Sequence, residues 1–238
     1  MRFRCSTGWL CRFGALLAFA VALLLPQPAG RAQDSAVDLA LVLAVDCSFS
    51  VDAVEFRLQM DGLGKAFRRP EIKKAIRAGY RQRIAVTVMQ WSDEGNQMVV
   101  LPWTVVSGDA DADEIGLVLS KMPRRLAEGG TSISAALVFG QALFANAPEA
   151  ERRVIDVSSD GRNNIGPPVE PARDRVVASG IIINGLTILN EWPTLDIYFQ
   201  EQVAGGEGHF VIPANNYEAY GEAIYRKLLK EITGPGIS

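Results

Sequence analysis

From Val37 onward, short uninterrupted apolar runs alternate with stretches whose apolar residues recur at helical spacing. Val37–Asp46 (VDLALVLAVD) is almost continuously apolar, as expected of a strand buried on both faces. Val51–Phe67 places Val54, Leu58, Leu63 and Phe67 at near-helical spacing, with Asp52 in the first turn, where a carboxylate is favoured. Pro70 opens a second, short helix with Ile72 and Ile76 on one face. Arg83–Trp91 and Met98–Val106 read as strands, and Gly95-Asn96 between them predicts an antiparallel hairpin. Ile115–Met122 and Ile133–Phe144 read as helices, Arg153–Ser158 as a strand, and Val169–Ser179 as a helix ended by Gly180. The strand Ile181–Leu189, the helix Pro193–Val203 and the short strand His209–Ile212 follow. Tyr217–Ile232 closes the pattern, with Tyr217, Tyr220, Ile224, Leu228 and Ile232 on one helical face.

Such alternation predicts an α/β fold: a three-layer, doubly wound, Rossmann-like domain with a mostly parallel sheet, one antiparallel edge strand and helices on both faces. No internal repeat, low-complexity tract or linker interrupts residues 33–238, so a single domain is expected there.

Residues 1–32 read differently. Arg2, Arg4 and Arg12 make a basic start, Gly14–Leu25 is an uncharged apolar run of 12, and Pro26 and Pro28 close it. Gly30-Arg31-Ala32 then offers small residues at the spacing a signal peptidase reads, so residues 1–32 are expected to be a secretory signal peptide. The run is too short for a bilayer span, which takes about 20 apolar residues. No transmembrane helix is therefore expected after cleavage, and the protein is expected to be periplasmic or secreted by a Sec-type route.

Composition sharpens this picture. The 238 residues carry a formal charge of −3, and loss of residues 1–32 removes four Arg and no acid, leaving −7. That balance argues against a nucleic-acid partner, which would call for a basic face. One His excludes sites built on several imidazoles, including the usual zinc-hydrolase sets. Of three Cys only Cys47 lies beyond residue 32, so no disulfide framework is available to the exported chain.

Chemistry concentrates at strand ends. In doubly wound sheets, ligands bind outside the carboxyl ends of the strands, where the strand order reverses. Asp46-Cys47-Ser48-Phe49-Ser50 follows the first strand as D-x-S-x-S, whose alternate side chains converge in an extended segment. Thr131 follows Gly129-Gly130 just before a helix, and Asp160 follows the strand that ends at Ser158. Two carboxylates and three hydroxyls from three loops suit a small, hard, octahedral cation.

On these residues the sequence resembles the von Willebrand factor type A (vWA) domain with its metal-ion-dependent adhesion site. The D-x-S-x-S of Asp46, Ser48 and Ser50, the later Thr131 and the later Asp160 match that motif in order, over essentially the whole segment after residue 36. VSSDGRNN and AGGEGHFV are similar to a bacterial exported branch of unknown function. The resemblance implies Mg²⁺ (or Mn²⁺), with the two Ser and the Thr touching the ion and carboxylates acting through water. It also implies the function: binding another protein, whose acidic side chain completes the coordination. Two alternatives stand beside it. One is a structural subunit of an envelope complex with a stabilising metal; the other is a metal-dependent hydrolase, for which no general base is evident.

Other residues receive plainer readings. Cys47 is expected to be a buried structural thiol, and His209 to have a surface or packing role. Asp109, Asp111 and Asp113 open like a calcium loop, but Glu114 and Ser120 stand where Gly and Glu belong, so they read as helix N-terminal acids. Asp156, a carboxylate inside an apolar strand, could orient the metal site or pair with an Arg. Asn163 and Asn164 read as turn formers rather than metal-site residues. Trp91, Trp103 and Trp192 are expected in the core.

Overall fold

The structure, a computed structural model, describes residues 36–234. The expected signal peptide lies outside the described residues. Six strands form one sheet: β1 (Val37–Asp46), β2 (Ile84–Trp91), β3 (Gln97–Val106), β4 (Ala150–Ser159), β5 (Ile182–Ile188) and β6 (Val211–Ala214). They lie in the order β3-β2-β1-β4-β5-β6, all neighbours parallel except β2 and β3. The Rossmann-like α/β architecture with one antiparallel edge strand is thus as expected.

The helices are α1 (Ala53–Phe67), α2 (Pro70–Ala78), α3 (Asp109–Ser120), α4 (Ile133–Leu143), α5 (Val169–Ala178), α6 (Leu195–Tyr198) and α7 (Tyr220–Thr233). Helices α1, α2, α3 and α7 cover one face, burying Phe56, Leu63, Ile72, Leu119, Ile224 and Leu228. Helices α4, α5 and α6 cover the other through Ile133, Leu137, Val176 and Leu195. Double coverage explains why β1 and β2 are largely apolar: all eight residues of β2 are buried, Thr87 and Gln90 among them.

Local chemistry sets the ends. Asp52 caps α1 by accepting from the N–H groups of Val54 and Glu55, and Glu55 reaches back to the Asp52 N–H. Helix α3 begins at Asp109, six residues before the expected Ile115, because the acidic run forms its favoured first turns. The expected helix Pro193–Val203 is the short α6 continued by a π-helical turn at Phe199–Val203. Strand β6 lies two residues later than expected, because its pairing with β5 starts at Val211 opposite Gly185. Helix α1 packs closely on its neighbours at Gly62 and Gly64: a Cβ on Gly62 would lie 2.9 Å from Gly221 Cα of α7, and one on Gly64 would collide with the Gly116 carbonyl of α3.

The consequence for function lies at one edge. Strand β1 has β2 on one side and β4 on the other, so the chain leaves the centre of the sheet in opposite directions from adjacent strands. The loops after β1 and β4 open at this reversal, with the segment before α4 beside them.

Candidate metal centre

The D-x-S-x-S segment turns sharply as it leaves β1. Asp46 is fully buried, and its Oδ1 accepts the Ser48 N–H at 2.7 Å. Its Oδ2 accepts the Ser159 hydroxyl from the end of β4. Ser48 and Ser50 place their hydroxyl oxygens 3.3 Å apart, and Ser50 donates to Asp160 Oδ1 at 2.7 Å. The other Asp160 oxygen accepts the Tyr217 hydroxyl at 2.8 Å. Burial, with Asp160 beside it, pushes the Tyr217 phenol well above its usual range, so it stays a donor.

Thr131 reaches the same place from the third loop. Its side chain lies beside Gly161, where a Cβ would be 3.5 Å from Thr131 Oγ1. Asn164 holds it on two sides: its Oδ1 accepts the Thr131 N–H at 2.8 Å, and its Nδ2 faces Thr131 Oγ1 at 3.4 Å. The Asn164 N–H also donates to the Thr131 carbonyl at 2.9 Å. Gly130 is required here, since a Cβ would lie 2.8 Å from Ile165 Cγ2. The structure therefore brings all five expected residues together: Asp46, Ser48, Ser50, Thr131 and Asp160.

Arg124 holds the first loop from behind. Its Nη1 donates to the Val51 carbonyl at 2.7 Å, and its Nη2 donates to the carbonyls of Cys47 at 2.7 Å and Ser48 at 3.3 Å. The Ser48 carbonyl also accepts the Val51 N–H at 3.1 Å, so Arg124 is a second donor to it. The guanidinium thus binds the backbone and leaves both carboxylates alone.

The electrostatics suit a cation. Burial and the nearby Asp160 carboxylate raise Asp46 to about 7, against the two Ser hydrogen bonds. Among the described residues neither Asp46 nor Asp160 joins an ion pair. Two buried carboxylates with hydroxyls between them and no basic side chain match the donor set of a hard divalent ion. No group of three His, Cys, Asp or Glu able to hold a metal occurs among the described residues. An ion held here would have to draw its remaining donors from the hydroxyls.

Several plainer readings change. Asn164 is no mere turn former; it fixes Thr131. Asn163 does both jobs, donating to the Ile165 and Pro167 carbonyls at 3.2 Å and accepting the Ser134 N–H at 3.2 Å. Asp156 pairs with neither the site nor an Arg: Lys227 of α7 meets it at 2.7 Å. Trp192 is 45% exposed rather than in the core, whereas Trp91 is buried and Trp103 packs on Phe144. Cys47 is buried as expected, its thiol raised to about 12 by burial and Asp46. His209 bonds the Gly206 carbonyl at 2.7 Å and Gln200 at 3.1 Å, a packing role. Ser159, Tyr217 and Arg124 escaped the sequence reading because nothing near them in the chain marks partners 57 to 113 residues away.

Solved structures share this architecture at low identity. A von Willebrand factor type A structure from Catenulispora acidiphila is 15% identical with a TM-score of 0.59, covering 82% of this chain and 43% of that one. Proximal thread matrix protein 1 from the mussel byssus, with a zinc-occupied MIDAS motif, is 15% identical with a TM-score of 0.63, covering 83% of this chain and 48% of that one. The pilus adhesin SpaC from Lactobacillus rhamnosus GG is 14% identical with a TM-score of 0.60, covering 83% of this chain and 31% of that one. The chain thus spans about half or less of the length of these structures. No curated protein matches it. The fold is that of a vWA domain, and the chain belongs to the family described as Protein of unknown function (DUF1194), whose model matches residues 36–236.

Proposed function

We propose that this is an exported adhesion-type domain that binds another protein through a divalent cation, Mg²⁺ or Mn²⁺. Ser48, Ser50 and Thr131 would hold the ion with their hydroxyls, and Asp46 and Asp160 would balance its charge, in part through water. The ion would supply an electrophilic position for a carboxylate of the partner. The observation that carries this reading is the pair of buried carboxylates with no basic partner, interleaved with three hydroxyls. Weak hydroxyl donors leave such an ion electron-poor, which favours capture of an external acid. Similarity to a pilus adhesin and to a byssal matrix protein with a zinc-occupied motif supports an adhesion role and a divalent ion.

Export is proposed from residues 1–32, together with the absence, among the described residues, of any helix long and apolar enough to cross a membrane. The packing role of His209 removes the one imidazole of the chain from the centre, and a binding role is preferred to a hydrolase. A purely structural metal is the rival, favoured by the Asp160–Tyr217 bond that ties the centre to the chain just before α7.

Calorimetric titration with MgCl₂ and MnCl₂ tests the reading. Heat of binding is expected for the wild type and none for Asp46→Ala; identical behaviour of the two overturns it. Thr131→Ala is expected to end metal-dependent capture of a partner while leaving the fold intact. Capture from envelope extract that persists unchanged in EDTA would instead support the structural rival.

A further inference from the structure

Beside the hydroxyls of the metal centre lies a cleft of about 710 Å³, lined by Phe49, Thr131, Arg162, Glu191 and Trp192 among others. Gly129, Gly130 and Gly161 also line it, so part of the lining is bare main chain. Phe49 stands between the two metal-site Ser residues and is 77% exposed. Trp192 follows β5 and is 45% exposed. Single exposed apolar residues are ordinary. These two line one cleft, beside a cation held in place.

That cation is Arg162, two residues beyond Asp160. Its guanidinium lies 5.2 Å from the Trp192 ring centroid and 5.3 Å from that of Tyr198. Its Nη2 donates to Thr194 Oγ1 at 3.0 Å, and Tyr198 in turn accepts the Asn163 N–H at 3.3 Å. Among the described residues Arg162 joins no ion pair. An Arg stacked on aromatic rings is already ordered, so it gives up little freedom on meeting a carboxylate.

We propose that the cleft takes an extended acidic segment of a partner protein carrying two carboxylates and a large apolar side chain. One carboxylate meets the metal centre, the second meets Arg162, and the apolar side chain packs on Phe49 and Trp192. The inference rests on the metal-dependent reading above and adds a second anchor to it. Charge complementarity argues for the occupant: Arg162 is one cationic point, the proposed ion would be the second, and bare main chain lies between apolar side chains. Glu191 on the same lining repels any further acid, so negative charge is wanted at two points rather than along the whole segment.

The test uses short capped peptides and the ¹⁵N–¹H spectrum of the protein in excess magnesium. Ac-Gly-Asp-Leu-Asp-Gly-NH₂ is compared with versions in which either or both Asp are Asn, and with one in which Leu is Gly. The two-Asp peptide is expected to bind about fivefold or more tighter than either single-Asp version. That advantage should vanish in Arg162→Met, which keeps an apolar stem against the rings. The advantage of Leu over Gly should vanish in Phe49→Ser, a change at an exposed position that leaves the remaining spectrum in place.

A two-Asp advantage that persists in Arg162→Met overturns the inference. So does its absence in wild type while single-Asp peptides still bind and EDTA abolishes that binding; this leaves the metal reading standing. Peptide binding that survives EDTA, or none at all to protein shown by calorimetry to hold magnesium, defeats the partner-carboxylate reading and this inference together.

Discussion

The domain buries two pairs of carboxylates, and it treats them in opposite ways. At the top of the sheet, Asp46 and Asp160 are surrounded by hydroxyls and have no basic partner. In the middle of the sheet, Asp156 of β4 and Glu231 of α7 share Lys227, whose Nζ lies 2.7 Å from one and 2.6 Å from the other. Asn184, opposite Asp156 on β5, donates to Glu231 at 3.0 Å and accepts the Phe210 N–H at 3.1 Å. All four side chains of this inner cluster are almost wholly buried. Where the chain supplies its own counter-charge, the cluster is closed and serves to seat α7 against β4 and β5. Where it withholds one, the counter-charge would come from the cation proposed above.

The comparison breaks most easily at Lys227. Lys227→Met would strand two buried carboxylates, and a loss of about 3–5 kcal/mol is expected in urea unfolding. A loss below about 1 kcal/mol would mean that the inner cluster is not held by its lysine. The same cluster carries a pH signature. Burial raises Asp156 from 3.8 to about 7, opposed by Lys227 and reinforced by Glu231. Tyr220 also faces it, its phenol raised by burial and by these two acids and so protonated throughout this range. The folded state then holds a proton up to about pH 7 that the unfolded chain releases near 3.8. Stability should therefore fall as pH rises through that window and level off above it. Asp156→Asn should remove that part of the slope; an unchanged profile would show that Asp156 is ionised throughout.

At the outer pair the expected effect is smaller and comes from solution. A cation that binds only the folded state, at a hundredfold excess over its Kd, stabilises by about 2.7 kcal/mol. Melting should accordingly rise by about 5–10 °C with magnesium and return to its starting value with EDTA. Lys227→Met should show the same rise from a lower baseline, because the two clusters share no hydrogen bond. A lost metal response in that variant would show that the clusters are coupled. Smallest is Asn164→Ala, expected to cost about 1 kcal/mol and to weaken metal affinity about tenfold by freeing Thr131. Unchanged affinity would show that Gly130 and the main-chain bond suffice to place that hydroxyl.

Much of this was readable along the chain, and the residues show why. Val37–Asp46 was placed residue for residue, since a strand covered on both faces shows a nearly unbroken apolar run. Asp46, Ser48 and Ser50 were legible because their spacing within one segment is itself the signal. Thr131 and Asp160 were legible because each follows a recognisable glycine or strand end. Tyr217, Ser159 and Arg124 were not, because a hydroxyl or guanidinium far along the chain carries no mark of the atom it will meet. Trp192 was misplaced for a related reason: aromatic composition favours the core, and only the course of the loop after β5 put this ring on the rim of the cleft.

By itself, then, the sequence determined the alternation of strands and helices, the doubly wound class and five oxygen-bearing side chains in three loops. These follow from periodicity and local spacing, which short-range sterics and burial dictate. Tertiary structure alone decided which carboxylates receive a lysine and which do not. Asp46 and Asp156 look alike in sequence, each an acid that borders or interrupts the apolar run of its strand. Lys227 lies 71 residues beyond Asp156, and only the seating of α7 brings it to one acid and away from the other. Coulombic pairing in a dry interior acts over a few ångströms of space, whatever the distance along the chain.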